Sequence, residues 1–164
     1  MNKSINISEI IKPFNKTLKI EGDKSLSIRW ALLASQAKGK SKSFNLLNSE
    51  DVISALDCLK KLGIKVKKKK NSCEIISKGL NTFDYKSNIT LNAGNSGTLG
   101  RLIMGLLIHS KKKIKIIGDK SLSKRDFLRI TKPLEMFGAN FKTNYGKLPI
   151  TILGTKNPKP INYY

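Results

Sequence analysis

Short β-rich runs alternate with longer amphipathic segments along this chain, and their order repeats. Residues 17–20 read as a strand. In residues 26–37, Leu26, Trp30, Leu33 and Ala37 recur at helical spacing, which predicts a helix that buries this face. Residues 43–47 form a second predicted strand. Ser49 then stands where an N-cap belongs, with Glu50 and Asp51 in the first turn, where the helix dipole favours negative charge. The helix they open turns Val52, Leu56, Leu59 and Leu62 inward and stops at Gly63. Strands at 64–67 and 73–76 complete the order βαβαββ.

The same order recurs downstream. Residues 88–91 read as a strand and 97–108 as a nearly all-apolar, hence buried, helix. A strand at 114–117 precedes a helix over 124–137 with the stripe Phe127, Ile130, Leu134 and Phe137. Pro133 should kink or weaken that helix, and Gly138 ends it. Strands near 139–143 and 149–153 close the unit. Arg29 matches Arg101, and Leu62-Gly63 matches Phe137-Gly138, at offsets of about 72 to 75 residues, which points to a tandem duplication. Residues 81–86 are the natural linker between the copies, and another connection begins at 154–160. The fold class is therefore α/β, of the α+β kind, built from tandem units.

Composition changes this picture only through charge. Of 164 residues, 39% are apolar, and the longest apolar run, 102–108, falls far short of the ~20 residues that span a bilayer. The first residues lack the apolar core of a secretory signal. Cys58 and Cys73 have neither metal-ligand nor disulfide-framework spacing, so a reducing cytoplasm is expected, with Cys58 a buried structural thiol. Basic residues number 32 against 11 acidic, a formal net charge of +21. Nucleic acid, an anionic membrane or small acidic substrates could each account for such a balance. The lysine runs 67–70 and 111–113 occupy connections, however, and no aromatic residues are interleaved to stack bases. Solvated lysine-rich turns explain most of the charge, leaving neither nucleic acid nor membrane as an expected partner.

The candidate chemistry sits at helix starts, where unpaired backbone N–H groups and the dipole attract anions. Gly22-Asp23-Lys24-Ser25 precedes the first helix, with Lys24 just outside it and Arg29 one turn beyond Ser25. Helical side chains lean back toward the N-terminus, so Arg29 can reach the anion that Ser25 and the amides hold. Asn92-Ala-Gly-Asn95-Ser96-Gly97-Thr98 leads into the buried helix, with Arg101 one turn on from Gly97. Gly118-Asp119-Lys120-Ser121 has Arg125 four residues later. An ordinary capped helix explains any one of these, but three turns followed by an arginine favour anionic ligands. His109 reads as a helix-end residue.

Gly22-Asp-Lys-Ser-Leu-Ser-Ile-Arg29, Gly94-Asn-Ser-Gly-Thr98 with Arg101, and Gly118-Asp-Lys-Ser-Leu-Ser-Lys-Arg125 resemble the signatures of the 3-phosphoshikimate 1-carboxyvinyltransferase family, the 5-enolpyruvylshikimate-3-phosphate synthases. Asn45-Leu-Leu-Asn-Ser-Glu-Asp51 is also similar, and the likeness runs from about Lys12 to Gly154. It implies two domains of three βαβαββ units each, of which this chain holds two: 21–80 and 87–154. Residues 1–20 would pair with a missing domain, and 155–164 would link to a missing third unit. The implied reaction joins the 5-hydroxyl of shikimate 3-phosphate to phosphoenolpyruvate and releases phosphate, without metal or organic cofactor. By the same resemblance, Lys24, Ser25 and Arg29 bind shikimate 3-phosphate. Lys24, Asn95, Gly97 and Arg125 bind phosphoenolpyruvate, Lys24 is catalytic, and Thr98 and Arg101 support the turn. The whole enzyme would be monomeric.

Two positions depart from the family's pattern. Ser96 replaces the usual alanine. Its hydroxyl could bond local backbone or crowd the inhibitor glyphosate, and crowding is the expectation. Asp126 replaces a proline, and could weaken Arg125 or cap the helix. The family's later Ser-Ala-Gln segment and the proton-moving groups of the other domain have no counterpart in these residues, so the chain alone should be inactive. Two other readings stand beside this one. The enolpyruvyl transferase acting on UDP-N-acetylglucosamine shares the fold, but no counterpart of its reactive-cysteine loop is visible. A small basic nucleic-acid-binding protein is the alternative from another class.

Overall fold

The computed structural model describes residues 4–6, 8–10, 12–70 and 72–163. Two consecutive α/β units share one core. The first runs α1 (Lys24–Ala34), β1 (Gly39–Phe44), α2 (Glu50–Lys61), β2 (Lys65–Lys68) and β3 (Ser72–Ser77). Its sheet has the order β1-β3-β2, antiparallel throughout. The second runs β4 (Ile89–Asn92), α3 (Gly97–Leu106), β5 (Ile114–Ile117), a 3-10 turn (Leu122–Lys124), α4 (Leu128–Met136), β6 (Asn140–Asn144) and β7 (Lys147–Leu153). Here β5-β7-β6 repeats the antiparallel β1-β3-β2 arrangement, and β4 adds a parallel strand beside β5.

Helix α2 forms where its pattern predicts. Glu50 and Asp51 occupy its positive end and Lys60 and Lys61 its negative end. Val52, Leu56, Leu59 and Leu62 are buried. At Gly63 the backbone turns left-handed, φ +84°, and Ile64 N–H returns to Leu59 O at 3.0 Å, closing the helix. Gly138 ends α4 in the same conformation, φ +101°. The two sheets meet these helices through alternate strand residues, Cys73 and Ile75 in one, Ile114, Ile116, Ile150 and Ile152 in the other. With Ile28, Leu59, Leu99 and Phe127 they form a single apolar cluster across both units.

Several expectations fail, each for a local reason. Residues 17–20 form no strand; Leu18 and Ile20 are exposed, and the Asn45 amide donates to Ile20 O at 3.1 Å in place of a ladder. The N-terminal segment 1–20 lies partly outside the described residues. Helix α1 buries Ser27, Ile28, Ala31 and Leu32 and leaves Leu26 64% and Leu33 69% exposed; of the predicted face only Trp30 packs, half-buried, against the core. The buried face mixes small Ser27, Ala31 and Ala34 with Ile28 and Leu32, and packs against α2 and α3. Strand β1 pairs with β3 from Gly39, earlier than predicted, and ends at Phe44 because Asn45 turns left-handed, φ 55°. Ser49 occupies the N-cap of α2, yet its buried hydroxyl has no partner. The helix predicted over 124–137 begins only at Leu128.

Candidate anion-binding site

Parallel strands β4 and β5 end at one edge of their sheet, so the turns after them lie side by side. Ala93 N–H bonds Ile117 O at 2.9 Å, and Asp119 N–H bonds Gly94 O at 2.8 Å, stitching turn to turn. The Asn92 carboxamide accepts from Gly94 N–H at 2.9 Å, and Gly94 is left-handed, φ +57°. Ser96 then caps α3: its Oγ accepts from Leu99 N–H at 3.2 Å and the residue is 1% exposed. The hydroxyl is thus turned into the helix start, the local-backbone fate of the two weighed for it.

Gly97 opens α3 beneath two arginines. A β-carbon there would lie 2.7 Å from Arg101 Nη1 and 2.9 Å from Arg125 Nη1, so only glycine leaves both guanidiniums their places. Arg125 Nη2 donates to Asn95 Oδ1 at 3.1 Å. Arg101 lies over the Phe127 ring, 5.1 Å from its centroid, and donates to Gly97 O and Asp126 O, each at 3.4 Å. Its Nε is buried without a partner. Burial first, then the charges of Arg129 and Arg125, holds the Arg101 guanidinium below its ordinary pKa, with Asp126 opposing. Two like charges converging over one glycine favour an anion between them.

Lys24 joins them from the first unit. Asp23 caps α1, its Oδ1 accepting from Leu26 N–H at 2.7 Å, so Lys24 is the first helical residue and not outside the helix as predicted. With Asp51, Asn95, Gly97, Thr98, Arg101 and Arg125 it lines a cavity of about 360 Å³. Ser25 and Arg29 stand one turn apart on α1 but do not line this cavity, and Arg29 is exposed.

The third predicted cradle is not a helix start. Asp119 Oδ1 accepts from Leu122 N–H at 2.7 Å, repeating the Asp23 cap, but only a 3-10 turn comes next. Buried Phe127, whose N–H bonds Gly146 O at 2.8 Å, draws the chain away. Lys120 and Ser121 are exposed, and Arg125 serves the second turn instead. Asp126 Oδ1 accepts from Leu128 N–H at 2.8 Å and so engages the start of α4. Cys58 is buried as expected; its thiol donates to Asn92 O at 3.4 Å, and burial pushes it up to about 11. His109 lies just past the end of α3, at a separate hollow walled by Phe83 and Tyr85. Asp51, read in the sequence as a dipole partner and the end of a family-like run but not as a candidate site residue, also lines the cavity.

Among the described residues, no helix is long and apolar enough to cross a membrane. The family model described as EPSP synthase (3-phosphoshikimate 1-carboxyvinyltransferase) matches residues 8–164. The chain is 43% identical over 157 residues to the 3-phosphoshikimate 1-carboxyvinyltransferase of Vesicomyosocius okutanii subsp. Calyptogena okutanii (strain HA), covering 94% of this chain and 36% of that protein. It is 38% identical over 153 residues to the namesake from Streptococcus pyogenes serotype M1, covering 92% of this chain and 35% of the relative. The chain therefore spans about a third of the length of these curated relatives. A solved EPSP synthase from Acinetobacter baumannii superposes with a TM-score of 0.83 at 33% identity, over 89% of this chain and 33% of that one. Fold, turn geometry and sequence thus agree, and the chain belongs to the EPSP synthase family.

Proposed function

We propose that this chain supplies one wall of the active site for enolpyruvyl transfer from phosphoenolpyruvate to the 5-hydroxyl of shikimate 3-phosphate. The observation that carries this reading is the convergence of Lys24, Arg101 and Arg125 on one cavity floored by Gly97. In this reading Lys24, Asn95, Gly97 and Arg125 hold phosphoenolpyruvate, with Thr98 and Arg101 supporting them. Lys24, Ser25 and Arg29 hold shikimate 3-phosphate, which lies along α1 beside the cavity. The hydroxyl adds to the enol carbon of phosphoenolpyruvate while the methylene carbon takes a proton. The tetrahedral adduct then expels phosphate, and loss of a proton restores the enol double bond. Lys24 and Arg125, both pre-positioned, would neutralise charge on the departing phosphate without reorganising.

The units 21–80 and 87–154 form the framework of this wall. The free edge of β1 and the exposed Leu26, Leu33 and Phe44 would be covered by further family elements, consistent with the share of its relatives that the chain spans. We assign the activity to the cytoplasm and to a monomer. Calorimetric titration of the chain with shikimate 3-phosphate tests the reading. Binding that Lys24→Ala and Arg29→Ala each weaken is expected. Equal binding by all three proteins, or tighter binding to single-stranded DNA that collapses with salt, would reject it.

A further inference from the structure

Among the described residues, Asp51 is the only carboxylate in a cavity otherwise lined by three cations and neutral groups. Its Oδ2 lies 3.0 Å from Lys24 Nζ; the Asp51 side chain is 17% exposed and that of Lys24 50%. The acid is the fixed partner, because it sits in the first turn of α2, a rigid element whose positive end favours it. The lysine is the mobile partner, a hydrated charge on four flexible carbons. Lys24 also begins α1, where the dipole disfavours a cation, and the first turn of α1 holds no acid to offset this. Two guanidiniums line the same cavity and repel it further. Without Asp51 the ammonium would swing toward solvent.

We propose that Asp51 is a positioning residue for Lys24, holding the ammonium over the anion cavity before ligand arrives. The inference rests on the anion-site reading above. An ammonium has three donors, so Lys24 can keep its bond to Asp51 while giving the others to phosphate and carboxylate oxygens. Asp51 thereby joins the two helix starts, α1 and α2, into one preorganised site.

The sign of one substitution separates this role from simple electrostatics. Removing a carboxylate beside an anion site should tighten binding if Asp51 merely repels ligand. If Asp51 aims Lys24, Asp51→Asn should weaken phosphoenolpyruvate binding by about three- to tenfold. The experiment is an NMR titration of the 164-residue chain with phosphoenolpyruvate, monitoring the Gly97 and Thr98 amides, in a double-mutant cycle with Lys24→Ala. Thermal melts accompany each variant. Weakening by Asp51→Asn that disappears in the Lys24→Ala background supports the proposal, as does Asp51→Glu binding within about threefold of the parent. Equal weakening in both backgrounds would mark a structural role and overturn it. So would unchanged or tighter binding by Asp51→Asn while Lys24→Ala and Arg125→Ala still bind weakly. If neither Lys24→Ala nor Arg125→Ala alters binding, the anion-site reading itself fails, and this inference with it.

Discussion

Arg125 donates to the side chain of Asn95 across 3.1 Å, joining residues thirty apart in sequence at the start of α3. This bond explains how a three-residue 3-10 turn serves a helix N-terminus it does not belong to. Asn95 and Gly97 fix the height of the Arg125 fork, while Phe127 and Asp126 O fix that of Arg101. The arginines are therefore set by the turn and not by the ligand.

Gly97→Ala tests this placement. The new methyl would meet nitrogen of both arginines well inside ordinary contact, so the guanidiniums must move. Phosphoenolpyruvate affinity should fall at least about tenfold, while the melting temperature moves by no more than about 3 °C, because the displaced groups are side-chain ends. A large loss of stability with unchanged affinity would contradict the geometry.

Ser96→Ala should act in the opposite way. It removes the N-cap of α3, costing about 1 kcal/mol, measurable by urea titration. The ratio of glyphosate to phosphoenolpyruvate affinity should stay the same, since the hydroxyl is turned into the helix start. A changed ratio at constant stability would restore the crowding expectation.

Asp126→Ala should destabilise the chain by about 0.5–1 kcal/mol through its lost bond to Leu128 N–H, again without altering anion affinity. Tighter binding would mean that the carboxylate competes for Arg125 after all.

Cys58 gives a pH signature. Burial raises its thiol from an ordinary 9.0 to about 11, with Lys61 partly opposing. A raised folded value means the contribution to stability is complete below pH 9 and is lost as pH climbs through about 11. Native-state alkylation at about pH 8 should be slow and should accelerate only under denaturant. Rapid labelling of folded protein would show the thiol to be accessible.

How legible the chain was depended on how distinct its patterns were. In α2, apolar residues stand apart among charged ones, so Val52, Leu56, Leu59 and Leu62 identify one face without ambiguity. In α1, Leu26, Ile28, Trp30, Leu32 and Leu33 surround the axis, and no stripe is unique. The face turned inward joins Ser27 and Ala31 to Ile28 and Leu32, a mixed set that no stripe of large apolar residues marks. The Gly118-Asp-Lys-Ser run copies the first motif, and even its cap is copied, yet the burial of Phe127 sets the path of the chain beyond it. Asp51 ended a family-like run, but its carboxylate also satisfies the dipole of α2, so nothing in the pattern marked it as a site residue. Its bond to Lys24 is a tertiary fact.

The central claim is that Lys24, Arg101 and Arg125 form one site for multiply charged anions. An amide chemical-shift map of the 164-residue chain under phosphoenolpyruvate tests it most directly. The largest changes are expected on Asn95, Gly97, Thr98 and Arg125, and Arg125→Ala should remove them. Changes spread instead over the lysine runs at 67–70 and 111–113, indifferent to Arg125→Ala, would contradict it.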